Sequence, residues 1–216
     1  MKEIFPGVFK HKGRLFTRNL TPGKRVYGER LLSIDGIEYR EWDPYRSKLA
    51  AAILNGLKVM PISPRARVLY LGAAQGTTVS HVSDIARNGY IIAVEISPKA
   101  IEKLILVAGE RENIIPVLGD ANKPEEYSEY LDEINVIYQD VAQPNQVDIL
   151  LKNARYLKSG YTMLCVKSRS IDVVRKPKEV FAEAVSALES GGLETVQVIS
   201  LEPYEKDHAM IVSMKR

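Results

Sequence analysis

Apolar residues fall into two regimes along this chain. Over residues 1–42 they come in short runs punctuated by glycine: Gly7-Val8-Phe9, Arg14-Leu15-Phe16-Thr17, Val26-Tyr27-Gly28 and Ile34-Asp35-Gly36-Ile37-Glu38-Tyr39-Arg40. Asp35-Gly36 between apolar flanks signals a tight hairpin turn, because both residue types tolerate a left-handed backbone. The front therefore reads as a few antiparallel strands, too small to bury a core alone and in need of a neighbour to lean on. From Ser47 the spacing changes. Leu49, Ala50, Ile53, Leu54 and Leu57 recur at helical intervals behind a serine N-cap, with Gly56 near the end.

Beyond Pro61 and Pro64 strand and helix patterns alternate to the end of the chain. Strands are predicted at 68–71, 90–94, 114–118, 136–138, 161–166, 195–201 and 209–214, and helices at 77–86, 98–111, 146–157 and 177–189. Pro116 inside the third of these strands marks an edge position, since proline cannot donate to a ladder. Continuously apolar strands separated by helices predict a parallel sheet covered on both faces. The expected architecture is a doubly wound, Rossmann-like α/β body of seven strands, residues 56–216, behind a small N-terminal β-rich domain with its connecting helix, residues 1–55.

Composition narrows the class. The 216 residues are 45% hydrophobic and 26% charged, which is ordinary globular composition. No apolar run approaches the roughly 20 residues that span a bilayer, and the first residues lack the apolar centre of a signal peptide, so a cytoplasmic protein without a membrane partner is expected. The single cysteine, Cys165, lies in an apolar strand and reads as core packing. His11, His81 and His208 are scattered, with no metal-ligand spacing, so no metal site is expected. Charge is lopsided: 14 Lys and Arg stand against 6 Asp and Glu over residues 1–70, a balance of +8, and 16 against 21 over the rest, a balance of −5. Such asymmetry suits a front surface that meets a polyanion.

In an open parallel sheet the ligand lies beyond the carboxyl ends of the strands. Past the first body strand is the small-residue turn Gly72-Ala73-Ala74-Gln75-Gly76-Thr77-Thr78; past the next three come Glu95, Asp120 and Asp140. Glu95 is placed to accept hydrogen bonds from the ribose hydroxyls of an adenosine, Asp120 to receive the adenine amino group, and Asp140 to sit by the ligand's reactive end. The turn lacks both the Gly-x-Gly-x-x-Gly of dinucleotide sites and the Gly-x-x-x-x-Gly-Lys-Ser/Thr of triphosphate sites. Three acids repel a polyphosphate and suit a cofactor carrying a sulfonium and an ammonium. S-adenosyl-L-methionine fits best.

The acceptor is read by elimination. After the fourth strand the chain runs Asp140-Val141-Ala142-Gln143-Pro144, not the Asn/Asp-Pro-Pro-aromatic of exocyclic-nitrogen methylation, and no loop cysteine serves carbon methylation. Oxygen acceptors remain, a ribose 2′-hydroxyl among them. Candidates to orient or deprotonate it are Lys48, Asp140, Lys167 and His208, with Lys167 a base or a cation beside the developing alkoxide.

Four segments resemble fibrillarin: residues 39–51 (Tyr39-Arg40-Glu41-Trp42-Asp43-Pro44-Tyr45-Arg46-Ser47-Lys48-Leu49-Ala50-Ala51), residues 68–84 around the glycine turn, residues 140–144, and residues 201–209 (Leu201-Glu202-Pro203-Tyr204-Glu205-Lys206-Asp207-His208-Ala209). The short front and the lack of a Gly/Arg-rich tail resemble the archaeal form. The resemblance implies the methyltransferase fold and a ribose 2′-O-methyltransferase of ribosomal and transfer RNA. It implies too a box C/D guide RNA, a Nop-domain scaffold protein and a kink-turn-binding protein of ribosomal type as partners. It places the family's Lys-Asp-Lys-His constellation on Lys48, Asp140, Lys167 and His208. Cofactor contacts fall on the turn residues Gly72, Ala73, Gly76, Thr77 and Thr78, on Glu95 with Ile96, on Asp120 with Ala121, and on Asp140, Val141, Ala142 and Gln143. Arg46 and the basic stretch of Arg169, Arg175 and Lys176 are candidate RNA contacts. The rivals are a non-catalytic RNA scaffold and a nicotinamide-dependent reductase.

Overall fold

The computed structural model describes residues 1–216. Strands β1 (Lys2–Phe5), β2 (Val8–His11), β3 (Arg14–Arg18), β4 (Leu31–Ile34) and β5 (Ile37–Trp42) form a front sheet of order β1-β2-β3-β5-β4, antiparallel throughout. Asp35 and Gly36 close the β4–β5 hairpin with φ of 51° and 76°, the left-handed pair that a two-residue hairpin turn requires. Val26-Tyr27-Gly28, expected as a strand, is loop. The Glu29 carboxylate accepts the N–H groups of Val26 and Tyr27 at 2.8–3.1 Å, so those donors are spent locally. β1 escaped the pattern because only two of its four residues are apolar.

Helix α1 (Lys48–Leu54), capped by the Ser47 hydroxyl, leads into the body. There follow β6 (Arg67–Leu71), α2 (Thr77–Ile85), β7 (Tyr90–Glu95), α3 (Pro98–Gly109), β8 (Ile114–Leu118), β9 (Val136–Gln139), α4 (Gln146–Ala154), β10 (Gly160–Lys167), α5 (Ser168–Ile171), α6 (Pro177–Ser190), β11 (Glu194–Ser200) and β12 (His208–Lys215). They build a seven-stranded sheet of order β11-β12-β10-β9-β6-β7-β8, in which β12 alone runs against the others. β8, with Pro116, is an edge strand. The short α5, which no apolar periodicity announced, follows directly on Lys167.

Period-two alternation sends the strand residues to opposite faces. Val68 and Tyr70 of β6 join α1, α2 and α3 in one core, which also takes in Val8, Leu15 and Trp42 of the front. Leu69 and Leu71 join α4 and α6 in the other. The sheet order reverses at β6, whose neighbours are β7 and β9, and this switch point opens the crevice in which ligands of such sheets lie.

A wholly buried charge cluster fastens the front to the body. Arg40 of β5 donates to Glu29 (2.6 Å), to Asp84 of α2 (2.9 Å) and to the Ser80 hydroxyl (2.9 Å). Arg111 donates to the other oxygen of Asp84 at 2.6 Å, so two guanidiniums and two carboxylates balance within the joint. Thr17 donates to Asp84 at 2.7 Å, and its oxygen lies 2.7 Å from Nδ1 of His81; the Tyr27 hydroxyl lies 2.8 Å from Nε2, and the imidazole stacks on Trp42. The donor count assigns the His81 proton to Nδ1 and leaves Nε2 to accept from Tyr27.

Burial, reinforced by Arg40 and Arg111, holds the pKa of His81 well below the ordinary 6.5. The folded chain therefore keeps this imidazole neutral while the unfolded chain takes up a proton once the pH drops through that value. Stability should be insensitive to His81 above about pH 6.5 and fall below it by about 1.4 kcal/mol per pH unit. Urea unfolding between about pH 7.5 and about pH 5 measures the slope. His81→Phe should lower stability overall and flatten this dependence.

Candidate active site

The turn after β6 is shaped by one close approach. Gly72 has φ of 82°, and a Cβ built on it would lie 2.2 Å from the carbonyl oxygen of Asp140, so only glycine lets the ends of β6 and β9 meet. The N–H groups of Gly72 and Ala73 both donate to the Val94 carbonyl at 3.0 Å, which ties the turn to β7. Gly76, with φ of 89°, caps α2 with its backbone against Leu104, and the first turn of that helix has no side-chain cap. Thr78 donates to the Ser47 hydroxyl at 3.0 Å, joining the start of α2 to the start of α1.

The three predicted carboxylates converge on one cavity of about 360 Å³ at the carboxyl edge of the sheet. Glu95 ends β7 and is buried, and each of its oxygens accepts a backbone N–H, from Ala74 at 2.7 Å and from Ser97 at 2.8 Å. Asp120 holds Asn122 through Oδ1 and keeps Oδ2 without a hydrogen bond. Asp140 closes the cavity at the end of β9. Gly72, Ile96 and Ala121 line it as well, as does the run Val141, Ala142 and Gln143. Ala73 turns into the hydrophobic core, and Gly76, Thr77 and Thr78 stand outside the cavity wall. Ala74 and Asn122 line it without having been singled out in the sequence.

Beside the cavity Lys48 donates to Oδ2 of Asp140 at 3.0 Å. Burial alone lowers the lysine pKa, but the Asp140 carboxylate outweighs it and the net shift is upward, so Lys48 stays an ammonium. Lys167, the last residue of β10, pairs in register with His208, the first of β12. Nδ1 of His208 lies 2.7 Å from the Lys206 carbonyl and therefore carries a proton, with a Glu205 carboxylate oxygen 3.9 Å away. Cys165 is buried, its Sγ 3.2 Å from the Tyr138 hydroxyl, and burial raises its pKa, so the thiol is inert.

Sequence reasoning missed Gln146. The side chain of this wholly buried residue at the start of α4 grips the backbone of Lys167 on both sides: Oε1 accepts its N–H at 3.0 Å and Nε2 donates to its carbonyl at 3.2 Å. Gln139, the residue before Asp140, donates to the Gln146 carbonyl at 2.7 Å. The ends of β9 and β10 are thus locked together through one residue, Gln146. A polar residue at a helix start carries no sequence signal for this.

The four candidate RNA contacts fare differently. Arg169 is taken up by Asp207 at 3.1 Å and by the Val173 carbonyl, and Arg175 makes a two-pronged pair with Glu183 at 2.6 Å. Lys176 forms no ion pair, and Arg46 is exposed, its guanidinium 5.7 Å from the centre of the Tyr27 ring.

The fibrillarin family model matches residues 1–216. A fibrillarin-like rRNA/tRNA 2′-O-methyltransferase of Thermococcus sibiricus is 54% identical over 222 residues, which cover 99% of this chain and 98% of that protein. Among solved structures, Aeropyrum pernix fibrillarin with natively bound S-adenosyl-L-methionine superposes with a TM-score of 0.87 at 45% identity, covering 99% of this chain and all of that one. The fibrillarin of a fibrillarin/Nop5p complex does so with a TM-score of 0.91 at 44% identity, covering both chains fully.

Gly72→Ala should push the Asp140 peptide out of place. The expected loss is about 2–4 kcal/mol, which for a chain of this size lowers the melting temperature by roughly 5–15 °C. Differential scanning calorimetry checks it.

Proposed function

The chain belongs to the fibrillarin family, and from that premise we propose that it methylates ribose 2′-hydroxyls of ribosomal and transfer RNA with S-adenosyl-L-methionine. The observation that carries this reading is the convergence of Glu95, Asp120 and Asp140 on one cavity, with the Lys48–Asp140 pair at its side. A Nop-domain protein is its scaffold partner. We extend the proposal to a box C/D guide RNA and a kink-turn-binding protein in the assembly, and to a cytoplasmic site of action.

The cavity fits the cofactor in charge and size: three carboxylates face a space in the range that binds small ligands. When bound, the cofactor supplies an electrophilic methyl on a cationic sulfur. Glu95 has its backbone-held oxygens in place, each with a lone pair left for a ribose hydroxyl, and Asp120, whose Oδ2 makes no hydrogen bond, would take the adenine amino group. Asp140 adds a negative charge near the sulfonium, and Lys48 fixes its direction. Lys167 would orient the acceptor 2′-oxygen and steady the negative charge that develops on it. The hydroxyl proton passes to Nε2 of His208. Alignment does most of the work, being worth up to roughly 10 kcal/mol.

In an assembly reconstituted with guide RNA, scaffold and kink-turn protein, Lys167→Ala should abolish methyl transfer while the affinity for S-adenosyl-L-methionine, read by calorimetry, stays nearly unchanged. Gln146→Leu frees the Lys167 backbone and should lower the single-turnover rate by about 10- to 100-fold with cofactor affinity intact. Full turnover in the Lys167 variant would remove that residue from the mechanism.

A further inference from the structure

A second cavity, larger than the cofactor site, lies elsewhere in the molecule. It is a cleft of about 710 Å³ between the front and the body, walled by the 21–27 loop and Arg46 on one side and by α3 and the glycine turn on the other. Five cations line it against one carboxylate. Arg111 is spent on the buried Asp84, and Lys24 pairs with Glu110 at 3.1 Å. Arg25, Arg46 and Lys103 are left, all exposed. Arg25 reaches only a backbone carbonyl and Lys103 only the Gln75 amide, while Arg46 has a carboxylate no nearer than 3.9 Å.

We propose that this cleft binds the phosphodiester backbone of the target RNA strand beside the nucleotide being methylated. The inference rests on the function proposed above and adds a site to it. Three observations carry it. The cleft adjoins the reaction site at two points: Arg46 stands two residues before Lys48, and Gln75 and Thr77 line the cleft from the same turn whose Gly72 and Ala74 line the cofactor cavity. Its unmatched cations come from three separate segments, an arrangement that follows a strand of repeating charges better than one small anion. In the other basic stretch of the chain both arginines are already paired, Arg169 with Asp207 and Arg175 with Glu183, which leaves Lys176 and Lys178 there without an ion pair, whereas the cleft gathers three unmatched cations around one cavity. Leu106, 72% exposed, and Tyr27 add apolar wall against which a ribose or base can lie.

The test is the double variant Arg25→Gln/Lys103→Gln in the reconstituted assembly, with an unchanged melting temperature as the control for folding. The KM for target RNA should rise about tenfold at roughly 0.15 M salt, and the slope of log KM against log salt should shrink by about 1.5, as the loss of two phosphate contacts demands. Affinity for S-adenosyl-L-methionine should not move. Lys103→Glu should raise KM further. If the wild-type assembly methylates and neither KM nor the salt slope changes in the variants, the cleft is not an RNA site. A variant that joins the scaffold protein only at raised concentration, and shows normal RNA parameters once assembled, makes the cleft a protein-docking surface and also overturns the proposal. Absence of methylation by the wild-type assembly would instead overturn the function proposed above.

Discussion

The meeting of Gly72 with the Asp140 peptide is the constraint on which the site depends. β6 and β9 are neighbours whose connecting segments leave in opposite directions, so a crevice opens beyond their carboxyl ends. For the crevice to be lined by backbone and carboxylate, the two chains must approach more closely than any Cβ allows, and a glycine in the left-handed region permits it. Everything else at the site is registered to this point. Glu95 is tied to the same turn through the Ala74 N–H, Lys48 to the Asp140 carboxylate, and α1 to α2 through Ser47 and Thr78.

The buried cluster at the joint serves the site from a distance. Removing four charges from water is costly, and replacing them with packed hydrocarbon is often no loss in stability. Hydrocarbon is non-directional, whereas Arg40 reaches Glu29, Asp84 and Ser80 with three separate nitrogens. Such a fork fixes the angle at which the front sheet meets α2. That angle matters because the chain leaving β5 carries Arg46 and Lys48, one to the basic cleft and the other to Asp140. The front is small, and it acts as a jig that sets α1 against the sheet edge.

Features whose cause is local were legible in the sequence. Asp35-Gly36 is a hairpin because its own backbone preferences make it one, and Pro116 sits at an edge because it lacks an N–H. The convergence of Glu95, Asp120 and Asp140 was legible too, since parallel strands bring every strand end to the same rim. Illegible were features whose partner lies far along the chain. Gln146 and Lys167 are 21 residues apart, and Arg40 and Asp84 are 44 apart. No periodicity links them. Counting charge failed in a related way at Arg169 and Arg175: a tally registers cations, and only the fold shows which of them already have a carboxylate.

Two lysines, Lys48 at the start of α1 and Lys167 at the end of β10, illustrate how environment divides labour between identical side chains. Lys48 has a carboxylate at 3.0 Å, and deprotonating it would leave Asp140 as an uncompensated, half-buried charge. It is therefore bound to remain a cation, and its contribution is to hold Asp140 still. Lys167 has no carboxylate within ion-pair distance but has its backbone gripped by Gln146 on both sides. Its root is fixed, and in the proposed mechanism its ammonium answers a charge that appears only as the reaction proceeds. An ammonium already neutralised would gain little from a developing alkoxide, whereas an unpaired one gains most at the moment the charge forms, which is the differential binding that lowers a barrier.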